Sequence, residues 1–422
     1  MKTKCLLAAL SLCAAFAAEA RTFKVSVWRG ESHAALVPDF CELGEVPEGL
    51  QLKFGTMKSV KYAPEPGSVQ RLECYDRVVW DSYADGLRVV EVTAPADAKP
   101  GVYRCGMMEI TVEENVLPPP SKWRYYLDLW QHPWAVARYH KVKPFSKEHY
   151  AAMRPVYELL ATAGQKTITV SLLEQPWDHQ CYDAYHSMVD DADFGTFDEY
   201  VEFCRSCGLG PDISCYSLCP WTLGKSIDEA ELEKRWGAFL DRFAAHLKEK
   251  GWFGNAVMAM DERAPEDVRK VGDFVRRHAP GLRISMAGNR RPSEFKGIDI
   301  DIYAQILGHV DDAFVAEAAE RRKSGKVTTF YVCCGPAKPN TFMTSGPDEA
   351  FELGVFPAKR GLDGFLRWAW NSWPRDPCSD ASYGNWKAGD TFLCYPNGEP
   401  SWRFLKLRNG IIAAEKIWLT KK

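Results

Sequence analysis

Two adjacent carboxylates, Asp261 and Glu262, are the residues whose type and spacing most directly suggest chemistry. They close the apolar run Val257-Met258-Ala259-Met260, which reads as a buried parallel strand. Ala264-Pro265-Glu266 just beyond reads as the start of a helix. At the C-terminal tip of a barrel strand, such a pair can divide the work: one carboxyl moves a proton and the other stabilises charge. The same pair also suits a plain helix start, where the N-terminal dipole favours negative charge. Other chemical motifs are weaker. Cys204-Arg205-Ser206-Cys207 has C-x-x-C spacing but lies in a helical pattern with no second pair at zinc-ribbon spacing. Cys333 and Cys334 are vicinal at a strand end, and packed thiols are the default reading for most of the cysteines. Neither a G-x-S-x-G elbow nor H-E-x-x-H occurs. No metal and no cofactor is expected.

The elements that must position the carboxylates alternate strand and helix. Strands are expected at residues 125–130, 167–173, 212–217, 256–261, 283–287, 298–303, 327–333 and 364–370. Leu232, Trp236, Phe239, Leu240, Phe243 and Leu247 recur at helical spacing, and Gly251 stops that helix. Thr196 with Glu199, and Ser226 with Glu229, read as capping boxes. A helix over 146–164 must be kinked or divided at Pro155. Eight strands in about 300 residues match a (β/α)8 TIM barrel. An open doubly wound sheet would carry a Gly-rich turn after its first strand, and Trp130-Gln131-His132-Pro133 is unlike one.

In such a barrel the site is assembled from the residues that follow each strand. These are Asp128, Trp130, Gln131, His132 and Arg138; Glu174 and Trp177; Tyr216 and Trp221; Asp261 and Glu262; Asn289; Tyr303 and Gln305; Tyr331 and Asn340; then Arg367, Trp368, Trp370, Asn371, Trp373 and Asp376. The rim is rich in rings and hydrogen-bonding groups and poor in metal ligands, as a carbohydrate site would be. The substrate-binding candidates are Trp130, His132, Arg138, Tyr216, Asn289, Tyr303, Tyr331, Trp368, Trp370, Asn371 and Trp373. Plainer roles stand beside these. His132 suits a packed loop histidine, and Arg367 a structural ion pair. Trp368 and Trp370, two apart, share a strand face, and one of them can point into the core.

Outside the barrel the grammar differs. Lys2, Lys4, the apolar stretch from Cys5 to Ala17 and Ala18-Glu19-Ala20 read as a signal peptide over residues 1–20, with export after cleavage near Ala20 to the periplasm or the medium. Residues 21–116 hold short alternating runs punctuated by Gly and Pro, expected as a β-sandwich accessory domain. Residues 117–120, Leu117-Pro118-Pro119-Pro120, read as a stiff linker, and 121–422 as the catalytic barrel with a C-terminal tail. The 46% hydrophobic and 26% charged residues are ordinary globular values. A net charge of -3 without a basic run argues against nucleic acid as partner, and no segment after the leader has the length of a transmembrane span.

Several of these stretches together resemble glycoside hydrolase family 123. The opening motif is Leu127-Asp128-Leu129-Trp130-Gln131-His132-Pro133 with Ala135-Val136-Ala137-Arg138-Tyr139. Ala163-Gly164-Gln165-Lys166, Lys250-Gly251-Trp252-Phe253, Ala259-Met260-Asp261-Glu262-Arg263 and Thr328-Thr329-Phe330-Tyr331-Val332-Cys333-Cys334 follow in order. The closing signature runs from Gly364-Phe365-Leu366-Arg367-Trp368 through Asn371-Ser372-Trp373 to Trp386, Gly389-Asp390 and Tyr395-Pro396. The resemblance implies a retaining β-N-acetylgalactosaminidase whose substrate supplies its own 2-acetamido group as nucleophile, outside the two-carboxylate scheme. It further implies Glu262 as general acid/base, and Asp261 as the partner of the acetamido N–H and of the oxazolinium-like intermediate. Since strand residues alternate, the strand must end or bulge for both to enter one site. The tail departs from the family: Leu405 stands where a Glu is usual, and Asp-Tyr is missing before Glu415. Two other readings stay open, a non-catalytic glycan-binding protein and a hydrolase of another β-N-acetylhexosaminide such as GlcNAc.

Overall fold

From Phe23 onward, alternating polar and apolar residues form β1 (Phe23–Arg29), β2 (Ser32–Leu36), β3 (Gln51–Tyr62), β4 (Leu72–Val79), β5 (Leu87–Thr93), β6 (Gly101–Cys105) and β7 (Met108–Val116). The computed structural model describes residues 22–80, 86–173, 188, 193–223 and 226–421. The leader read in residues 1–20 and the rim candidates Glu174 and Trp177 lie outside these. The strands make a three-stranded sheet, β1-β7-β6, and an antiparallel four-stranded sheet, β2-β5-β3-β4. Val25 and Val27 of β1, Val90 and Val92 of β5, and Ile110 and Val112 of β7 are buried together between them, as in a sandwich. Residues 102–112 form a hairpin, with β6 and β7 paired antiparallel. Gly106 turns it at φ 60, and a Cβ there would lie 2.4 Å from the Glu42 carbonyl oxygen.

The barrel follows. Its strands are β8 (Tyr126–Leu129), β9 (Thr167–Ser171), β10 (Asp212–Tyr216), β11 (Ala256–Asp261), β12 (Arg283–Gly288), β13 (Ile302–Ile306), β14 (Val327–Tyr331) and β15 (Gly364–Arg367). Among the described residues they form one eight-stranded parallel sheet in the order β8-β15-β14-β13-β12-β11-β10-β9. The described helices between and after them are α1 (Pro133–His140), α2 (Lys147–Ala161), α3 (Gly195–Ser206), α4 (Glu229–Glu231), α5 (Ala238–Glu249), α6 (Pro265–His278), α7 (Asp312–Lys323), α8 (Glu349–Arg360) and α9 (Trp402–Thr420). The architecture is an N-terminal β-rich unit followed by a (β/α)8 TIM barrel.

The sheet closes between β8 and β9 through side chains. Leu127 and Gln165 form a single parallel bridge. The Gln165 carboxamide accepts from Leu129 N (3.0 Å) and donates to the Leu129 carbonyl (3.2 Å). Gln131 repeats the device one rung higher, accepting from Thr169 N at 2.9 Å. The rim candidate Gln131 is therefore a buried part of the seam.

Several local expectations change for identifiable reasons. β13 begins at Ile302, because Ile298 is apolar for another purpose: it packs where a Cβ on Gly272 of α6 would sit, 2.4 Å away. α2 runs unbroken with Pro155 inside it. α3 starts after Phe194 with no side-chain cap, so Thr196 is not a cap. Asp228, not Ser226, caps α4 by accepting from Glu231 N at 2.9 Å.

α9 ties the two units together. Its Arg403 donates twice to Asp76 of β4, at 3.0 Å each. Arg408 pairs with the buried Glu91 of β5, and Asn409 donates to the Ala34 carbonyl of β2 at 2.8 Å. On its other side Gly410 crosses α8 so closely that a Cβ would lie 2.2 Å from the Phe351 carbonyl oxygen.

Candidate active site

Within β11 the alternation is regular. Val257 and Ala259 face the lumen, while Met258 and Met260 pack outward beneath the helices. Asp261 continues the lumen face and pairs in register with Ala287 of β12. By strict alternation Glu262 would follow Met260 outward. Instead its backbone adopts φ 44, the left-handed region that costs a non-glycine residue on the order of 1 kcal/mol. Its N–H still donates to the Ala287 carbonyl at 2.9 Å. The turn brings the carboxylate over the lumen, where the Tyr331 hydroxyl donates to Oε1 at 2.5 Å. Tyr331 belongs to the lumen layer of β14. Burial, the bond to Glu262 and the negative charges of Glu262 and Asp261 all push its phenol well above the usual range, so it stays a donor. Asp261 is half-buried and Glu262 exposed.

The floor beneath the pair is lopsided. Ala259, Ala287 and Ala304 are small residues on three consecutive strands, and Trp130, Tyr216, Tyr331 and Leu366 are the large ones facing them. Trp130 and Tyr216 meet edge to face with centroids 5.2 Å apart. Trp368 packs on the same layer half-buried, a flat ring at the mouth. Its indole donates to Asp390 Oδ1 at 3.2 Å, and Trp386 lies against it at 4.6 Å. Asp390 is fully buried and paired with Arg367 at 2.7 Å, which makes Arg367 the structural ion-pair partner. Behind Trp368, His132 donates Nε2–H to its carbonyl at 3.2 Å. Burial, against that bond, pushes the His132 imidazole down to about 4, so it is neutral at pH 7.

The structure thus gathers Asp261, Glu262, Trp130, Tyr216, Tyr331 and Trp368 around one lumen. Asn289 stands exposed just past the end of β12, and its carbonyl accepts from His309 at 2.7 Å. Five candidates lie elsewhere. Tyr303 faces outward, since Ile302 and Ala304 take the lumen side; it packs against Phe295 and donates to the Arg290 carbonyl. Trp370 does not share a face with Trp368, because β15 ends at Arg367; it is buried against Phe404 of α9 at 4.8 Å. Trp373 is buried with its indole on the Cys394 carbonyl at 2.7 Å. Asn371 clamps the His132 backbone, accepting at 2.9 Å and donating at 3.0 Å. Arg138 donates to the Trp373 carbonyl at 2.7 Å. Asn340, also on the rim by sequence, is buried and donates to the Cys333 carbonyl at 3.1 Å. Asp390 was not among the site candidates. Its sequence signal is its place in the closing signature, Gly389-Asp390; that a half-buried indole and a buried guanidinium share it as acceptor is visible only in the fold.

A family model described as the catalytic domain of glycoside hydrolase 123 matches residues 130–420. The chain is similar to a family 123 glycoside hydrolase from Clostridium perfringens, studied for glycolipid glycan hydrolysis. The two share 22% identity with a TM-score of 0.80, over 94% of this chain and 83% of that one. At that identity the likeness speaks for the fold. A broad specificity endoglucanase of Clostridium longisporum matches at 12% identity and a TM-score of 0.43, over 72% of this chain and 99% of that one. No curated protein matches the chain.

Proposed function

The chain belongs to glycoside hydrolase family 123, and on that premise we propose that it releases terminal β-linked N-acetylgalactosamine from glycans with retention of configuration. In this reading the acetamido oxygen of the substrate attacks its own anomeric carbon. The glycosidic bond breaks, and Glu262 gives its proton to the departing oxygen. Asp261 accepts a hydrogen bond from the acetamido N–H and offsets the positive charge of the oxazolinium-like ring. Glu262 then takes a proton from water as it opens that ring at the anomeric carbon. The carrying observation is the left-handed turn at Glu262, which lets sequence neighbours serve one lumen. Neither carboxylate has to bond to the anomeric carbon, so the pair has no need of the spacing that a protein nucleophile requires. The half-buried ring of Trp368 at the mouth suits the apolar face of a sugar, over the floor that Trp130 and Tyr216 help to build.

The test uses chromogenic β-GalNAc and β-GlcNAc substrates with wild type, Asp261→Asn and Glu262→Gln. Glu262→Gln is expected to slow poor leaving groups by about 10²–10⁴-fold and activated aryl groups far less. A thiazoline mimic of the ring intermediate is expected to inhibit. Equal rates in all three proteins, or glycan binding without turnover, sink the proposal; preference for GlcNAc moves it to another hexosaminide. Export is part of the same proposal, with a mature chain that begins at Arg21 by N-terminal sequencing.

A further inference from the structure

Two thiols stand at the mouth of the lumen without a part in this hydrolysis. Cys333 lies two residues after Tyr331, on the same face, and packs on the layer that holds Tyr331. Cys334 beside it is exposed. Successive residues in an extended strand point apart, yet these sulfurs lie 3.7 Å from each other. The chain has left β14 by then, and Cys333 N–H donates to the Gly335 carbonyl at 3.0 Å. The C-x-x-C pair differs, with Cys204 and Cys207 both buried along α3 and its cap.

We propose that Cys333 and Cys334 form a dithiol modification site that low-molecular-weight disulfides convert to a vicinal disulfide at the rim of the active site. The exposed Cys334 thiolate attacks one sulfur of the reagent RSSR, forming Cys334–S–S–R and expelling RS⁻. Cys333 then loses its proton to solvent and attacks the Cys334 sulfur, expelling the second RS⁻. The protein loses two hydrogens, and RSSR is reduced to two RSH. The order follows from environment. Burial is the main reason the Cys333 thiol is pushed up to about 12, which makes it a poor first nucleophile. Once Cys334 carries the leaving thiol, proximity serves Cys333 in place of acidity. Closure draws the Cys333 sulfur off the wall it shares with Tyr331 and Trp368, so glycan binding is expected to weaken.

The full-length folded protein is incubated with oxidised glutathione, alkylated and digested, and the peptide carrying residues 333–334 is weighed. The wild-type peptide is expected to have lost two hydrogens and to take no alkylating label. Cys333→Ser should hold a persistent glutathione adduct on Cys334, and Cys334→Ser should stay reduced over the same time. Full alkylation of wild type, a glutathione adduct that persists on it, or a bridge to a different cysteine overturns the site. This arm stands whether or not the hexosaminidase reading holds. A second arm rests on that reading: KM for the hydrolysed hexosaminide rises several-fold on oxidation, reverses with dithiothreitol, and does not move in Cys334→Ser. An unchanged KM in the fully oxidised protein overturns the coupling to the glycan site.

Discussion

The Tyr331 hydroxyl donates to the carboxylate of the proposed acid/base at 2.5 Å. A hydrogen bond to a charged group contributes about 1.5–3 kcal/mol. Tyr331→Phe is therefore expected to lower kcat/KM roughly tenfold to a hundredfold, as steady-state kinetics will show. His132 lowers stability in acid. Its native imidazole titrates near 4 against an ordinary 6.5, so the unfolded chain takes the proton first as pH falls. Its contribution is complete above 6.5 and lost by about pH 4, a change of about 3 kcal/mol. Asp128, raised by burial to about 6, acts in the opposite sense between 3.8 and 6. Denaturant titrations of wild type and His132→Gln should thus diverge most in slope between pH 6.5 and 4, the variant losing less stability. At this scale the sequence showed which residue types were present better than where they pointed. Asp261 and Glu262 could be found because an apolar strand ends in them. Tyr303 and Trp370 could not be placed, because a strand shifted or cut short by a few residues reverses a side chain's face.

The strand-and-helix alternation was legible because each element carries its own period. The β8–β9 seam was not, since Gln165 and Leu129 are far apart in sequence and a glutamine carries no period. Gln165→Ala leaves the buried Leu129 N–H without its acceptor, while the Leu129 carbonyl keeps the Gln131 carboxamide. A buried unsatisfied group costs about 1–3 kcal/mol, and a loss of that size is expected in urea denaturation. The same rule explains the hairpin at Gly106: its turn depends on a close approach to Glu42 that no local pattern announces.

Across the molecule, α9 belongs to both cores. Trp28, Met57, Val60, Tyr62, Val78 and Val89 of the β-rich unit are buried in one cluster with Phe404, Leu407 and Ile411 of α9. Our proposed division into 21–116, a linker at 117–120 and 121–422 thus separates sequence units that share an interface. Arg408→Leu would strip Glu91 of its buried partner and leave it only the exposed Lys53 ammonium at 4.0 Å. Breaking a buried pair in this way costs about 3–5 kcal/mol, and thermal denaturation is expected to show it as a marked drop in melting temperature. The departures of the tail from the family pattern fall on this helix: Leu405 is buried in the shared cluster, and Glu415 accepts from Tyr125 N at 2.6 Å. The Asn409–Ala34 bond closes a separation of 375 residues. Contacts so remote in sequence form late, because loop-closure entropy is lost before they repay it. Until α9 docks, the apolar face of the four-stranded sheet stays uncovered. The clasp that unites the finished protein therefore leaves the β-rich unit unable to bury its own core face until the last helix is in place.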